Sequence, residues 1–107
     1  MKIRIESVTI WPGSATVLYV RGSTFGPPPS FSYELLDISP SDKIDEFVAA
    51  PNGERINGVS VKSLKSGSAR MTSEQWTNWS SGGTEESDNA YILSCLLVNL
   101  GLVAHSP

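Results

Sequence analysis

Reactive and metal-ligating side chains are scarce in this sequence. Its 107 residues hold one cysteine, Cys95, and one histidine, His105. A lone cysteine excludes an intramolecular disulfide, and one Cys with one His cannot furnish the ligand set of a His/Cys metal site. Cys95 stands among Leu and Val and reads as a small buried hydrophobe rather than a nucleophile. His105 falls in a tail expected to fray, and no motif around it would hold a Ser-His-Asp geometry. Glu85-Glu86-Ser87-Asp88 clusters acids but lacks the calcium-loop spacing. Gly53, Gly58 and Gly67 are scattered and form no phosphate cradle. No metal or cofactor is therefore expected. A chain this short leaves little room for an ordinary substrate pocket, and the expectation is a non-enzyme.

Basic residues are missing from the last third. All eight Lys and Arg lie at or before Arg70, and the net charge is -3. No broad basic footprint invites nucleic acid. The acids beyond Arg70, namely Glu74, Glu85, Glu86 and Asp88, read as partners of helix N-termini, where the macrodipole favours negative charge. Long apolar runs are also missing. Residues 90–104 are interrupted by Ser94 and Asn99 and are too short to span a bilayer, so no membrane partner is expected. Met1 opens onto a charged alternating strand rather than an apolar h-region, which argues against a secretory leader.

What remains is a pattern of strands followed by helices, within one domain whose residues 1–71 are β-rich and whose residues 72–104 form a helical cap. KIRIESVTI alternates like a half-buried strand. Its phase changes near Glu6-Ser7, with Ile3 and Ile5 on one parity and Val8 and Ile10 on the other, which predicts a β-bulge or a kink. Trp11-Pro12-Gly13-Ser14 reads as a turn, and TVLYVRG as the second strand of a hairpin. Pro27-Pro28-Pro29 predicts a stiff loop, with a proline-rich ligand for another domain as the alternative. Phe31, Tyr33 and Leu35 share one face of a third strand. Ser41 is placed to cap a short helix reaching Phe47 and Val48. A strand is expected over residues 56–64, a break at Ser66-Gly67-Ser68, and a last short strand over 69–71. The fold class expected is α+β: an antiparallel, sandwich-like sheet of about five strands followed by two C-terminal helices.

Thr72 followed by Gln75 is a capping-box pattern, and starts a short helix from Ser73 to about Trp79. Ser87 or Asp88 is expected to cap a longer helix ending at Leu100. Gly101 is placed as its left-handed terminator, with Leu102 packing back on the last turn. Between Ala90 and Leu100 only Ser94 and Asn99 are polar. A helix apolar over most of its circumference is normally buried on more than one side, which points to a second surface beyond the chain's own sheet. Trp76 and Trp79, at i and i+3, share a helix face. They read as core staples, as interface anchors, or as a platform for sugar rings. Trp11, beside Pro12, is the candidate loop aromatic for ligand stacking.

The segments SVTIWPGSAT, LYVRG, YELLD, MTSEQWTNW and DNAYILSCLLVNLGL resemble a group of small proteins encoded among the structural genes of tailed bacteriophages and prophages. The resemblance covers residues 1–36 and 67–103. It is strongest in the Met-Thr-x-x-Gln-Trp-x-x-Trp step into the acidic final helix and its Leu-Gly-Leu ending. Residues 37–66 look longer than the group's pattern and read as an insertion. The resemblance carries over no catalytic residue. It implies a virion protein, made in the host cytoplasm, whose partners are other phage structural proteins in an oligomeric assembly. Tail, baseplate or fibre is the expected region, with head-surface cement protein and carbohydrate-binding β-module as the alternatives. Trp76, Trp79, Tyr91, Leu93, Leu97 and Leu100 are the candidate interface residues. On this reading Leu97→Glu should leave the sheet largely folded and abolish assembly.

Overall fold

The opening strand changes face part-way along. In a computed structural model that describes residues 1–24, 28–51, 54–79 and 83–106, β1 (Lys2–Ile10) pairs antiparallel with β2 (Gly13–Thr24), and the register slips between Arg4 and Val8. Residues 5–7 of β1 stand opposite Thr16 alone, and across this irregularity the core-facing side chains change parity on both strands. Ile3 and Ile5 therefore pack into the same core as Val8 and Ile10 despite their opposite parity. β3 (Ser30–Ser39) and β4 (Ser60–Arg70) complete one antiparallel sheet in the order β1-β2-β3-β4.

There are four strands in this sheet among the described residues, where about five were expected, and no second sheet faces it. The Ser66-Gly67-Ser68 segment does not break β4. Those residues pair with Glu34, Tyr33 and Ser32 of β3. Gly67 lies under the Tyr33 ring: a Cβ there would sit 3.1 Å from the Tyr33 hydroxyl and 3.3 Å from ring carbons. Glycine in a strand often marks such a close approach, and here it admits the aromatic rather than ending the strand. The PPP loop lies only partly within the described residues, since Pro27 is outside them, as are Asn52-Gly53 and Ser80–Gly82.

Alternation along β2 and β3 supplies two cores. Leu18, Val20, Phe31, Tyr33 and Leu35 face one side, with Ile92, Leu93, Cys95, Leu96 and Leu97 of the final helix packed on them. Val17, Leu36 and Ile38 face the other, covered by Ile44 and Phe47. These last two lie on α1 (Ile44–Ala49), which follows a 3-10 turn at Ser41–Lys43. Ser41 belongs to that turn and makes no side-chain cap. Arg4 on β1 pairs with Asp45 at 3.0 Å, and the Lys2 ammonium lies 4.4 Å above the Phe47 ring, so α1 is held to β1. Burial lowers the Lys2 pKa from its ordinary value. Ile44 and Phe47 thus cover a sheet face that would otherwise expose Val17, Leu36 and Ile38.

After α2 (Ser73–Asn78) and α3 (Glu85–Leu100), the chain returns to β1. The Glu6 amide donates to the Val103 carbonyl at 2.8 Å and the His105 amide to the Arg4 carbonyl at 3.0 Å, around an Ile5–Ala104 bridge. His105 therefore lies in a bonded segment rather than the frayed tail expected, with its Nδ1 3.8 Å from Glu6 Oε2. No helix among the described residues is long and apolar enough to cross a membrane.

Candidate functional site: the tryptophan corner

Six residues make α2, a length that is marginal on its own, and side-chain bonds hold it. Thr72 Oγ1 accepts from the Gln75 amide at 3.0 Å while Gln75 Oε1 accepts from the Thr72 amide at 2.8 Å. This is the reciprocal capping box that the sequence predicts. The Gln75 side chain then continues outward. Its amide nitrogen donates to Asn99 Oδ1 at 3.1 Å, and Asn99 Nδ2 donates back to Gln75 Oε1 at 2.9 Å and to the Arg70 carbonyl at 3.0 Å. One amide pair therefore joins the end of β4, the start of α2 and the last turn of α3. Asn99, which the sequence shows only as a polar interruption in an apolar helix, is the centre of this junction.

Aromatic contacts hold the rest of the corner. Trp79 stacks on Tyr91 with ring centroids 6.2 Å apart and 20° between planes, and its indole N–H donates to Asp88 Oδ1 at 3.1 Å. Tyr91 donates to the Gln75 carbonyl at 2.7 Å. Burial, and then the neighbouring Cys95 thiol, raise the phenol above its ordinary pKa, so it remains a donor at neutral pH. Trp76 meets Trp79 edge-on at 5.6 Å and 71°, a favoured aromatic geometry. The shared face predicted from their spacing is present. An open cleft of about 220 Å3 beside Trp79 is lined by Asn78, Ser87, Asp88 and Tyr91.

The N-terminus of α3 is built differently from the expectation. Thr84, not Ser87 or Asp88, is the cap, accepting from the Ser87 amide at 3.1 Å. Asp88 is thereby free to receive Trp79. Glu85, Glu86 and Asp88 occupy the first turn of α3 and Glu74 the first turn of α2, where the macrodipole favours them. At the other end Gly101 has φ 70°, its amide donates to the Val98 carbonyl at 3.2 Å, and the Leu102 amide donates to the Leu97 carbonyl at 2.8 Å. These bonds form the Schellman terminator predicted from Gly101 and Leu102.

The candidate interface residues divide. Trp76 is 41% exposed, while Trp79, Tyr91 and Leu100 are half-buried against the core. Leu93 and Leu97 are each only 8% exposed and sit inside the chain's own core, so as the protein stands they offer no anchor to a partner. The reason is the curvature of the pattern: α3 turns Leu93, Leu96 and Leu97 to the sheet and places Tyr91 against α2. Val98, which the sequence did not single out as an anchor, is the large exposed apolar residue of α3 at 74%. Trp11 is 83% exposed at the β1–β2 turn, with no aromatic partner among the described residues. No group of three or more His, Cys, Asp or Glu among the described residues is placed to hold a metal ion. The chain matches no protein-family model, no curated protein and no solved structure.

Proposed function

We propose that this chain is a non-enzymatic structural protein of a tailed-phage particle, in the tail, baseplate or fibre region, which docks into its assembly through the tryptophan corner. The observation that carries the docking half is Trp76. It presents 41% of its surface to solvent while its ring rests on Trp79, which Tyr91 and Asp88 hold in turn. A large aromatic on a rigid support loses little freedom on binding, the property that makes tryptophan a favoured interface anchor. Val98, at 74% exposure, adds an apolar contact on α3. The phage context rests on the resemblance of MTSEQWTNW and of the acidic helix ending in Leu-Gly-Leu. The corner formed by those same segments would serve equally at a head-surface cement site.

A second reading draws on Trp11. An indole 83% exposed on a tight turn suits stacking on a sugar ring, and would make the chain a glycan-binding module for host attachment. Tryptophan fluorescence titrated with host-surface glycans tests it, with Trp11→Ser as the control.

Mass spectrometry of density-gradient-purified particles tests the main reading. Stoichiometric presence is expected. Trp76→Ser should fold, at a cost of about 1 kcal/mol for the lost aromatic pair, and drop out of particles. Wild-type protein found in lysates but missing from particles would refute the structural role. Normal incorporation of Trp76→Ser would remove the corner from it.

A further inference from the structure

The two edges of the sheet are protected unequally. The β1 edge is covered by the chain's own segment around Ala104. The β4 edge has no neighbouring strand among the described residues. It is long for an edge, 11 residues from Ser60 to Arg70, has no proline, and is interrupted by one extra residue at Leu64, where the register with β3 shifts. A strand paired on one side leaves alternate N–H and C=O groups facing outward, a template for another strand.

Charge on this strand is of one sign. Lys62, Lys65 and Arg70 are its only charged residues, and all three are exposed. Elsewhere the basic side chains are engaged more often: Arg4 with Asp45, Arg21 with Glu34, Lys43 with Glu46, and Lys2 over Phe47. Among the described residues no ion pair reaches Lys62, Lys65 or Arg70. Asp37 stands opposite Lys62 in the register with β3, without closing a salt bridge.

We infer that the β4 edge is a strand-addition site for an extended, acidic segment of a partner protein. The outward backbone groups supply main-chain hydrogen bonds, and the three cations supply selection. Edge lysines ordinarily repel like strands. Here a second copy of β4 would bring a further three cations to the same edge with no acid among them, whereas a strand bearing Glu or Asp at cross-strand positions is admitted. The edge adjoins the tryptophan corner at Arg70, whose carbonyl accepts from Asn99, while Lys62 and Lys65 lie away from it along β4, and the site stands whether or not the corner docks.

The test is a titration of the full isotope-labelled chain with the capped peptide Glu-Val-Glu-Val-Glu-Val-Glu and with its lysine counterpart. The acidic peptide should shift β4 amides and slow exchange of outward-facing ones, leaving β1 unmoved; the lysine peptide should do neither. Lys62→Glu/Lys65→Glu changes two exposed surface residues and should retain the fold by circular dichroism. It should weaken the acidic peptide about tenfold and gain the lysine peptide, the scale set by two reversed cross-strand charge pairs. Trp76→Ser should bind the acidic peptide as the wild type does. Equal binding of both peptides, no β4 response up to millimolar peptide, or binding of a single-stranded oligonucleotide by these cations in place of the peptide would each overturn the inference.

Discussion

Leu97 and Val98 are neighbours on α3 with opposite surroundings, 8% and 74% exposed. Substituting each in turn tests whether the final helix belongs to this chain's core. Leu97→Ala removes most of a side chain buried in the core that also holds Leu93, Leu96 and the sheet residues Leu18 and Val20. Such truncations cost about 2–5 kcal/mol, the lost transfer energy plus the cavity left behind. A domain of this size has a total stability of about 5–15 kcal/mol. At about 3 kcal/mol the midpoint of thermal unfolding falls by roughly 10–20 °C. Leu97→Glu adds the burial of an unpaired carboxylate and should leave the domain largely unfolded at room temperature. Val98→Lys should change stability by less than about 0.5 kcal/mol. A cation in the last turn also suits the helix dipole, and α3 has none there. Urea titration followed by circular dichroism and by tryptophan fluorescence reads both. If Leu97→Glu stayed folded with a near-native midpoint, α3 would not be seated on the sheet, and its leucines would be free for a partner after all.

Other substitutions check the elements around it. Gly101→Ala forces a Cβ onto a residue at φ 70° and should cost about 1 kcal/mol by the same denaturation assay; no loss would mean that the helix ends differently. Thr16→Val replaces the one buried side-chain oxygen that lacks a hydrogen-bond partner among the described residues. Removing an unsatisfied polar atom while keeping the shape should leave stability unchanged or raise it by up to about 1 kcal/mol, and a clear loss would reveal a partner for that hydroxyl.

Local features were legible wherever a short stretch of sequence decides them. The capping box at Thr72 and Gln75, the terminator at Gly101 and the bulge after Arg4 each depend on residues a few positions apart. Backbone groups in need of partners, or the parity of a strand, specify them without reference to the rest of the chain. The paired tryptophans follow from helical spacing in the same way. Their supports do not, because Asp88, Tyr91 and Asn99 come from another helix, and nothing in the spacing of Gln75 and Asn99 announces an amide pair across 24 positions.

Tertiary structure decided where each surface points. An apolar periodicity cannot tell a helix that needs a partner from one whose own sheet takes its leucines. Burial in one core with Leu18, Val20 and Tyr33 places Leu93 and Leu97 against the chain's own sheet. Gly67 reads alone as a breaker; Tyr33 on the adjacent strand makes it a fitted gap. The cover of the second sheet face by Ile44 and Phe47, and of the β1 edge by the segment around Ala104, depends on contacts between distant parts of the chain. Sequence by itself determined the α+β class, the start of α2, the end of α3 and the hydrophobic parity, because those are set by local backbone chemistry; the start of α3 at Thr84 was not read from it. Which apolar residues became core and which edge stayed open was decided only when the elements packed, because burial belongs to pairs of surfaces and not to either alone.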